Sequence, residues 1–220
     1  MMKYTQSLSK IFLLLLTLSF QSCTKETIIN LDEETYEWQT DDPPKSTFVM
    51  VDNNGISQVF TLKSNHRDYI ISTSSSLGST TITKEENIYQ QYLSDFGNEF
   101  EIFLRTGIEN YGDDIYFECA KIGFAYDPKY KTLIRVNTYF GNLGQPFNTN
   151  GGGYLNGLLS HAEILNHYST RYHEYDQVMY FNLKDLKEKW DNKTVVKIYI
   201  AKKIGLIKYE LNNGIYYERK

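Results

Sequence analysis

The chain has 220 residues, and 23 Lys and Arg against 27 Asp and Glu give it a formal net charge of −4 at pH 7. This length allows one domain with a sizeable core, or two small ones. A mildly acidic chain without a basic run argues against nucleic acid as a partner, and against an electrostatic attachment to a membrane.

The first 23 residues follow the order of a secretory signal. Lys3 and Lys10 precede the apolar run 11–20, which is followed by Gln21, Ser22 and Cys23. The apolar run is about half of the roughly twenty residues that a transmembrane helix needs. The pattern therefore predicts a signal peptide over residues 1–22 that is removed by processing.

Cys23, placed after Ser22 and the apolar run, resembles the attachment residue of a bacterial lipoprotein signal. The resemblance implies that the Cys23 thiol carries a diacylglycerol, that the chain is cut just before it, and that the new amino terminus is acylated. Two or more chains on one residue make a stable anchor, whereas one chain binds a membrane marginally. The expected location is the cell envelope, anchored to the outer membrane on either face. The alternative is ordinary cleavage near Ser22, which leaves Cys23 a plain thiol.

The segment after Cys23 is polar and acidic. It contains Asp32-Glu33-Glu34 and the pair Pro43-Pro44, and proline disfavours both helix and central strand. We therefore expect residues 23–45 to be a flexible tether that bears the lipid. Residues 46–220 are then expected to form one β-rich domain.

From Ser46 onward the pattern is typical of short strands. Asn53-Asn54-Gly55 and Asn212-Asn213-Gly214 each separate two strand-like runs, and each predicts a hairpin because Asn and Gly tolerate positive φ. Residues 99–105 alternate between charged and apolar side chains, which is typical of a half-buried strand.

Two segments have helical spacing instead. Thr83-Lys84-Glu85-Glu86 resembles a capping box, and the apolar residues after it follow a helical period up to Gly97. Leu183, Leu186 and Trp190 form a second, shorter stripe. Because turns rather than helices link most strands, we expect a mainly β fold: an antiparallel curved sheet, barrel or sandwich, with two short helices.

The segment from Tyr199 to Glu210 is similar to the closing hairpin of Bacteroidota-type lipoproteins whose C-terminal domain has no known function. The strand-like run 175–181 before it also fits that group. This resemblance implies a β-rich C-terminal domain, and it brings no known activity with it.

The best candidates for metal ligands are His161, Glu163 and His167, which share a face if the segment is a strand. In an extended strand, however, His161 and His167 would lie about 20 Å apart, too far to share one ion. His173 and Glu174 add possible ligands across a turn. The sequence therefore predicts polar residues facing solvent, without a metal or another cofactor.

Motifs for other chemistry are weak. The glycines 151–153 lack the Lys and Ser/Thr of a phosphate loop, and no Gly-x-Ser-x-Gly motif is present. Asp113 and Asp114 are more typical of a turn than of a calcium loop. Cys119 lies in a strand-like run and is expected to be a small buried residue rather than a reactive thiol. We therefore do not expect an enzyme.

The 19 tyrosines are the one unusual feature of the composition. Some could form a stacking surface for sugars or an apolar ligand, although tyrosine also favours half-buried strands for structural reasons. The candidates for ligand contact are Tyr139, Tyr172, Tyr175, Tyr180, Tyr216 and Tyr217.

Two functions remain after these considerations. The first is a binding module that engages an envelope protein or glycan through exposed aromatic residues and loops. The alternative is a carrier of a hydrophobic ligand in a lipocalin-like or lipoprotein-carrier-like β fold, which would require a large apolar cavity. An enzyme would need a cleft of perturbed titratable groups, and the sequence offers no such set.

Overall fold

The computed structural model describes residues 23–76, 79–106, 113–120, 122–127, 132–138, 163–183 and 191–220. Across these ranges the chain forms one short helix and thirteen strands. The helix is α1 (Glu33–Tyr36). The strands are β1 (Cys23–Ile29), β2 (Thr47–Asp52), β3 (Ser57–Ser76), β4 (Ser79–Ser94), β5 (Glu99–Arg105), β6 (Asp114–Cys119), β7 (Ile122–Asp127), β8 (Thr132–Thr138), β9 (Glu163–Ser169), β10 (Glu174–Asn182), β11 (Val195–Ala201), β12 (Gly205–Leu211) and β13 (Tyr216–Arg219).

The strands form one antiparallel sheet, which confirms the prediction of a mainly β fold. Twelve strands follow the order β8-β7-β6-β5-β4-β3-β2-β13-β12-β11-β10-β9, and β1 pairs with β4 in parallel. Apart from the pairing of β2 with β13, neighbours on this path are consecutive in the chain. In the described ranges β8 and β9 are the two ends of the path, so the sheet is not closed there.

Both hairpins predicted from Asn-Asn-Gly are confirmed. β2 pairs with β3 on either side of Asn53–Gly55, and β12 pairs with β13 on either side of Asn212–Gly214. The first turn is held by Asp52, whose Oδ1 accepts hydrogen bonds from the backbone N–H groups of Asn54 and Ile56 at 2.8 and 2.7 Å.

Two hydrophobic clusters lie on the sheet. The main cluster draws its side chains from strands β2 to β7 and β10 to β12, and it includes Phe60, Phe100 and Ile198, all fully buried. The second cluster lies on the other face of β10 to β12, as the alternation of Ile198 and Tyr199 along β11 requires. Its buried members are Tyr175, Val178, Tyr199, Ala201 and Ile207.

The helix predicted over residues 83–97 is wrong, because Ser79–Ser94 is strand β4. Ile88, Gln90, Tyr92 and Ser94 alternate as the buried residues of this strand, and two of them are polar. The amide of Gln90 bonds the backbone of Thr40 at 2.8 and 3.0 Å, and Ser94 accepts a hydrogen bond from Gln58 at 2.8 Å. Because Thr40 and Gln58 are distant in sequence, no local pattern could predict that Gln90 and Ser94 are buried residues of an alternating strand.

Most of the second predicted helix lies outside the described residues, which exclude 184–190. Leu183, at its start, follows β10 directly and is fully buried in the main cluster. That prediction therefore stays open.

The expected tether, residues 23–45, contains regular structure and buried side chains. It includes β1 and α1, and Leu31, Trp38 and Thr40 are buried. The Trp38 ring packs edge-on against Phe117 and Tyr126, with centroids 6.2 and 6.4 Å apart. The packed part of the chain therefore begins before Ser46, because an aromatic residue in this polar segment completes the core.

The chain divides into two compact units. The larger consists of Leu31–Asp68 and Asn87–Lys220, and it contains both hydrophobic clusters. The smaller contains β1 with Tyr69–Ser76 of β3 and Ser79–Glu86 of β4. Among the residues that the structure describes, no helix has the length and apolar character needed to cross a membrane.

Candidate functional site

A row of four paired residues crosses the outer face of strands β10 to β13. Tyr180 of β10 lies opposite Tyr199 of β11, Tyr199 opposite Lys208 of β12, and Lys208 opposite Glu218 of β13. Directly opposed residues of an antiparallel sheet share a face and bring their side chains into contact. The register of four strands therefore builds a continuous line of aromatic and charged groups.

Further tyrosines extend this row. The rings of Tyr168 and Tyr180 flank that of Tyr199, with centroids 4.7 and 4.8 Å away and interplanar angles of 26° and 32°. Lys208 Nζ lies 4.5 Å from the ring centroid of Tyr216 and 5.5 Å from that of Tyr199. These distances are typical of cation–π contacts. We call this surface the aromatic face; its members are Tyr168, Tyr180, Tyr199, Tyr216 and Lys208.

Glu218 forms ion pairs with two cations at the aromatic face, Lys208 and Arg171. Its Oε1 is 3.2 Å from Lys208 Nζ, and its Oε2 accepts a hydrogen bond of 2.6 Å from Arg171 Nε. Burial would raise the pKa of Glu218, but the hydrogen bonds from Arg171 and Lys208 outweigh it and lower the pKa. The carboxylate therefore stays ionised at neutral pH, and the ion pairs hold Lys208 in place over the rings.

Arg171 anchors the turn between β9 and β10 to the rest of the sheet. Its Nη2 donates to the backbone carbonyls of Val51 and Asp52 at 2.9 and 3.1 Å. Its guanidinium also lies 5.3 Å from the ring of Tyr172 and 5.4 Å from that of Tyr216. One edge of the aromatic face is thus fixed by a side chain that reaches a strand over a hundred positions away.

Burial keeps the tyrosine at the centre of the face protonated. It raises the pKa of Tyr199, and the neighbouring Tyr168 and Glu210 raise it further. Tyr199 is 7 % exposed, while Tyr168, Tyr180 and Tyr216 are half-buried. The ring at the centre of the face is therefore neutral, which suits stacking and hydrogen bonding rather than proton transfer.

The six tyrosines predicted as ligand contacts have different positions. Tyr180 and Tyr216 belong to the aromatic face, and Tyr172 lies beside it against Arg171. Tyr175 is buried in the second cluster, and Tyr217 stacks on Tyr209 at the main cluster with centroids 4.7 Å apart. Tyr139 lies outside the described residues.

Sequence analysis missed Tyr168, Tyr199, Lys208, Arg171 and Glu218. They come from four separate stretches of the chain, and the successive pairing of β9, β10, β11, β12 and β13 brings them together. One sequence signal for the face was available. Lys208 stands among the apolar residues of Leu206–Tyr209, and this pattern indicates a side chain that points away from the core.

The candidate metal ligands that the structure describes do not form a metal-binding group. His161 lies outside the described residues, and His167 is exposed with Nδ1 2.9 Å from Asp176 Oδ1. Its Nε2 is 3.8 Å from Glu174 Oε2, and hydrogen bonding to Asp176 raises the pKa of His167. Across the described ranges, no group of three or more His, Cys, Asp or Glu side chains is placed to hold a metal ion.

Cys119 is free and buried in the main cluster. Burial raises the pKa of its thiol, and Glu118 raises it further. The low thiolate population makes it a poor nucleophile.

A second polar group lies on the outer face of β4 to β6. Glu101 lies opposite Glu118, and Glu101 Oε1 accepts hydrogen bonds from Tyr89 at 2.6 Å and Gln91 at 2.9 Å. Burial raises the pKa of Glu118 although Tyr116 donates to it at 2.9 Å, and Glu101 adds to the rise. Each carboxylate is thus engaged by a neutral side chain of its own sheet.

An open depression of about 270 Å³ lies on β3 and β4. It is lined by Val59, Thr61, Lys63, Leu93, Ser94 and Asp95. This lining is mixed in polarity and does not suit a lipid-like ligand.

Comparison with protein-family models, with curated proteins and with solved structures found no match for this chain.

Proposed function

We propose that this protein is a lipid-anchored binding module of the cell envelope, held at the outer membrane by acyl chains on Cys23. The signal-like order of residues 1–22 and the cysteine that follows support the anchor. The aromatic face supports the binding role, and the row from Tyr180 to Glu218 is the observation that carries it.

The chemistry of the face suits an envelope glycan or a protein segment. Stacked, half-buried tyrosines offer ring surface for the C–H groups of a sugar or for an apolar side chain, and their hydroxyls offer hydrogen bonds. Because Lys208 is paired with Glu218, the face has no large excess of one charge. The preformed stacking lowers the entropy that a ligand would have to overcome on binding.

The carrier alternative would need an apolar cavity, and the described interior argues against one. Trp38, Tyr92, Phe100 and Ile102 fill the main cluster with exposures between 0 and 2 %. The aromatic face gives the binding module a specific surface, so we favour that function and propose no enzymatic activity.

The anchor is tested by Cys23→Ser in the source cell. We expect this variant in the soluble fraction and the wild-type protein in the membrane fraction, with acyl mass on Cys23. Retention of the variant on the membrane would disprove the anchor.

The binding role is tested by placing a benzophenone amino acid at Tyr180 of the anchored protein and irradiating intact cells. Phe96, 57 % exposed in the turn between β4 and β5, is the matched control position. We expect adducts at Tyr180 in excess of those at Phe96. Digestion of the adduct by protease or by periodate then separates a protein partner from a glycan, and equal labelling at both positions would argue against the aromatic face.

A further inference from the structure

Cys23, the residue proposed to carry the lipid, pairs with the first residue of β4. β1 runs parallel to β4 in the register Cys23↔Ser79 to Ile29↔Glu85. Ser79 is the first residue of β4, and its hydroxyl oxygen lies 2.9 Å from that of Ser76, the last residue of β3. Position 23 therefore lies beside the first residue of β4, which is itself in contact with the last residue of β3. We call β1 together with Tyr69–Ser76 and Ser79–Glu86 the hairpin arm.

The β3 and β4 strands of the arm carry no charged residue between Ser72 and Ile82, the stretch that we call the tip, and the charges nearest to Cys23 are Lys25 and Glu26 of β1, which lie opposite Thr81 and Ile82. Eight of the eleven residues from 72 to 82 are Ser or Thr, and the other three are Leu77, Gly78 and Ile82. The serines from Ser72 to Ser76 are all exposed. Exposed strands usually carry charges that limit pairing with other chains, and β3 and β4 lack them between Ser72 and Ile82.

Charges return on β4 after the tip. Lys84 Nζ lies 2.6 Å from Glu26 Oε1, and Glu85 follows it. The exposed residues Ile70 and Ile71 are neighbours on one strand and point to opposite faces, so they form no single apolar face. Beside Cys23, β3 and β4 are therefore uncharged and rich in hydroxyl groups, while the charges of the arm begin at Lys25 on β1 and at Lys84 on β4.

We propose that the tip of the hairpin arm sits in the lipid headgroup layer of the membrane that holds Cys23. This inference rests on the acylation of Cys23 in the proposed function. A diacylglycerol on that thiol fixes its glycerol at headgroup level, and neighbouring strands are roughly 4.8 Å apart. Ser79 is then held at the same level as Cys23.

The composition of the tip suits that position. Serine and threonine hydroxyls donate to phosphate and ester oxygens, and they have no charge to desolvate. The ion pair of Lys84 with Glu26 lies three residues along β1 from Cys23, about 10 Å along the strand. The tip, rather than the whole length of the arm, therefore meets the lipid.

The test uses the full acylated protein in vesicles of phosphatidylethanolamine and phosphatidylglycerol that contain a headgroup-attached nitroxide quencher. One variant carries an environment-sensitive fluorophore at position 75 (Ser75→Cys) and the matched control carries it at position 28 (Ile28→Cys), both exposed positions of the arm. Cys119 is buried and does not compete for the label. We expect quenching several-fold stronger at position 75 than at position 28.

The two proposals fail in different ways. If mass spectrometry finds no acyl chains on Cys23, the anchor itself is wrong. If Cys23 is acylated and the protein binds vesicles, but position 75 is not quenched or both positions are quenched equally, the anchor stands and the membrane contact of the tip is overturned.

Discussion

Arg171 and Glu218 form an ion pair of 2.6 Å between Nε and Oε2, although 47 positions of the chain separate them. Glu218 also meets Lys208, and its side chain is only 5 % exposed. Through Arg171 and Lys208, the Glu218 carboxylate of β13 therefore connects the β9–β10 turn with β12. It is the electrostatic centre beside the aromatic face.

Glu218→Gln is expected to destabilise the fold at pH 7 by about 1.5 to 3 kcal/mol, the range for hydrogen bonds to charged groups. The pKa of Glu218 is lowered from its ordinary 4.5, so its ionised form is favoured by folding. That contribution is fully present above pH 4.5 and is lost as the pH falls through the lower folded pKa. Urea unfolding of both proteins between pH 3 and pH 8 measures the difference.

Glu210→Gln is the matched control for that experiment. Glu210 lies 3.0 Å from Lys197 Nζ and 3.6 Å from Lys208 Nζ, so it shares Lys208 with Glu218, but its side chain is 20 % exposed where that of Glu218 is 5 % exposed. Ion pairs that solvent can reach contribute about 0 to 1 kcal/mol to the free energy of unfolding. Equal losses in the two variants would contradict a special role for Glu218.

Glu118→Gln is expected to have the opposite effect. Burial raises the pKa of Glu118 above 4.5, so ionisation of this carboxyl opposes folding above the raised pKa. Glutamine keeps an oxygen acceptor for the Tyr116 hydroxyl and removes the charge opposite Glu101. The variant should melt at a higher temperature than wild type at pH 7.

The gain from Glu118→Gln should shrink as the pH falls and vanish below pH 4.5, where the carboxyl is protonated in both states. Melting curves by circular dichroism across this range check the sign. Glu163→Gln, at an exposed position of β9, is the control and should leave the melting temperature unchanged. A loss of stability for Glu118→Gln at pH 7 would contradict the assigned direction.

The fold class could be predicted from local patterns because hairpins are local. Asn53-Asn54-Gly55 and the alternation in Glu99–Arg105 depend only on neighbouring residues, and both predictions match the strands found. β4 could not be predicted in this way, because Gln90 and Ser94 face the core and their polar groups are satisfied by Thr40 and Gln58.

The candidate site was predictable only in part for the same reason. Tyr216 and Tyr217 are adjacent on one strand, so they cannot share a face, and this could have been deduced from alternation alone. The stacking of Tyr168 on Tyr199 depends on the register of β9, β10 and β11, which no local pattern contains.

Gly205→Ala is expected to destabilise the protein more than Gly55→Ala. Both glycines have positive φ, +81° and +87°, and a non-glycine residue there costs about 1 to 2 kcal/mol. A Cβ at position 205 would also lie 2.7 Å from Thr40 Cγ2, whereas a Cβ at position 55 meets open space.

Chemical denaturation of the two glycine variants separates the backbone cost from the steric cost. The additional variant Thr40→Ser removes Cγ2, so Thr40→Ser combined with Gly205→Ala should recover part of the loss. Equal destabilisation by the two glycine substitutions would show that contact with Thr40 Cγ2 adds no cost to a Cβ at position 205.

Trp38→Ala is expected to cost about 3 to 5 kcal/mol, the range for removing a large aromatic side chain from a core. Trp38 is 2 % exposed, packs on Phe117 and Tyr126, and has Lys202 Nζ 5.4 Å from its ring centroid. If residues 31–45 were a flexible tether, Trp38→Ala would leave the free energy of unfolding unchanged. Ile56→Ala, at a residue 53 % exposed, is the control and should cost less than about 0.5 kcal/mol. Urea denaturation followed by tyrosine fluorescence, which both variants retain, measures the two losses in the free energy of unfolding. A loss for Trp38→Ala no larger than that for Ile56→Ala would show that residues 31–45 form a flexible tether.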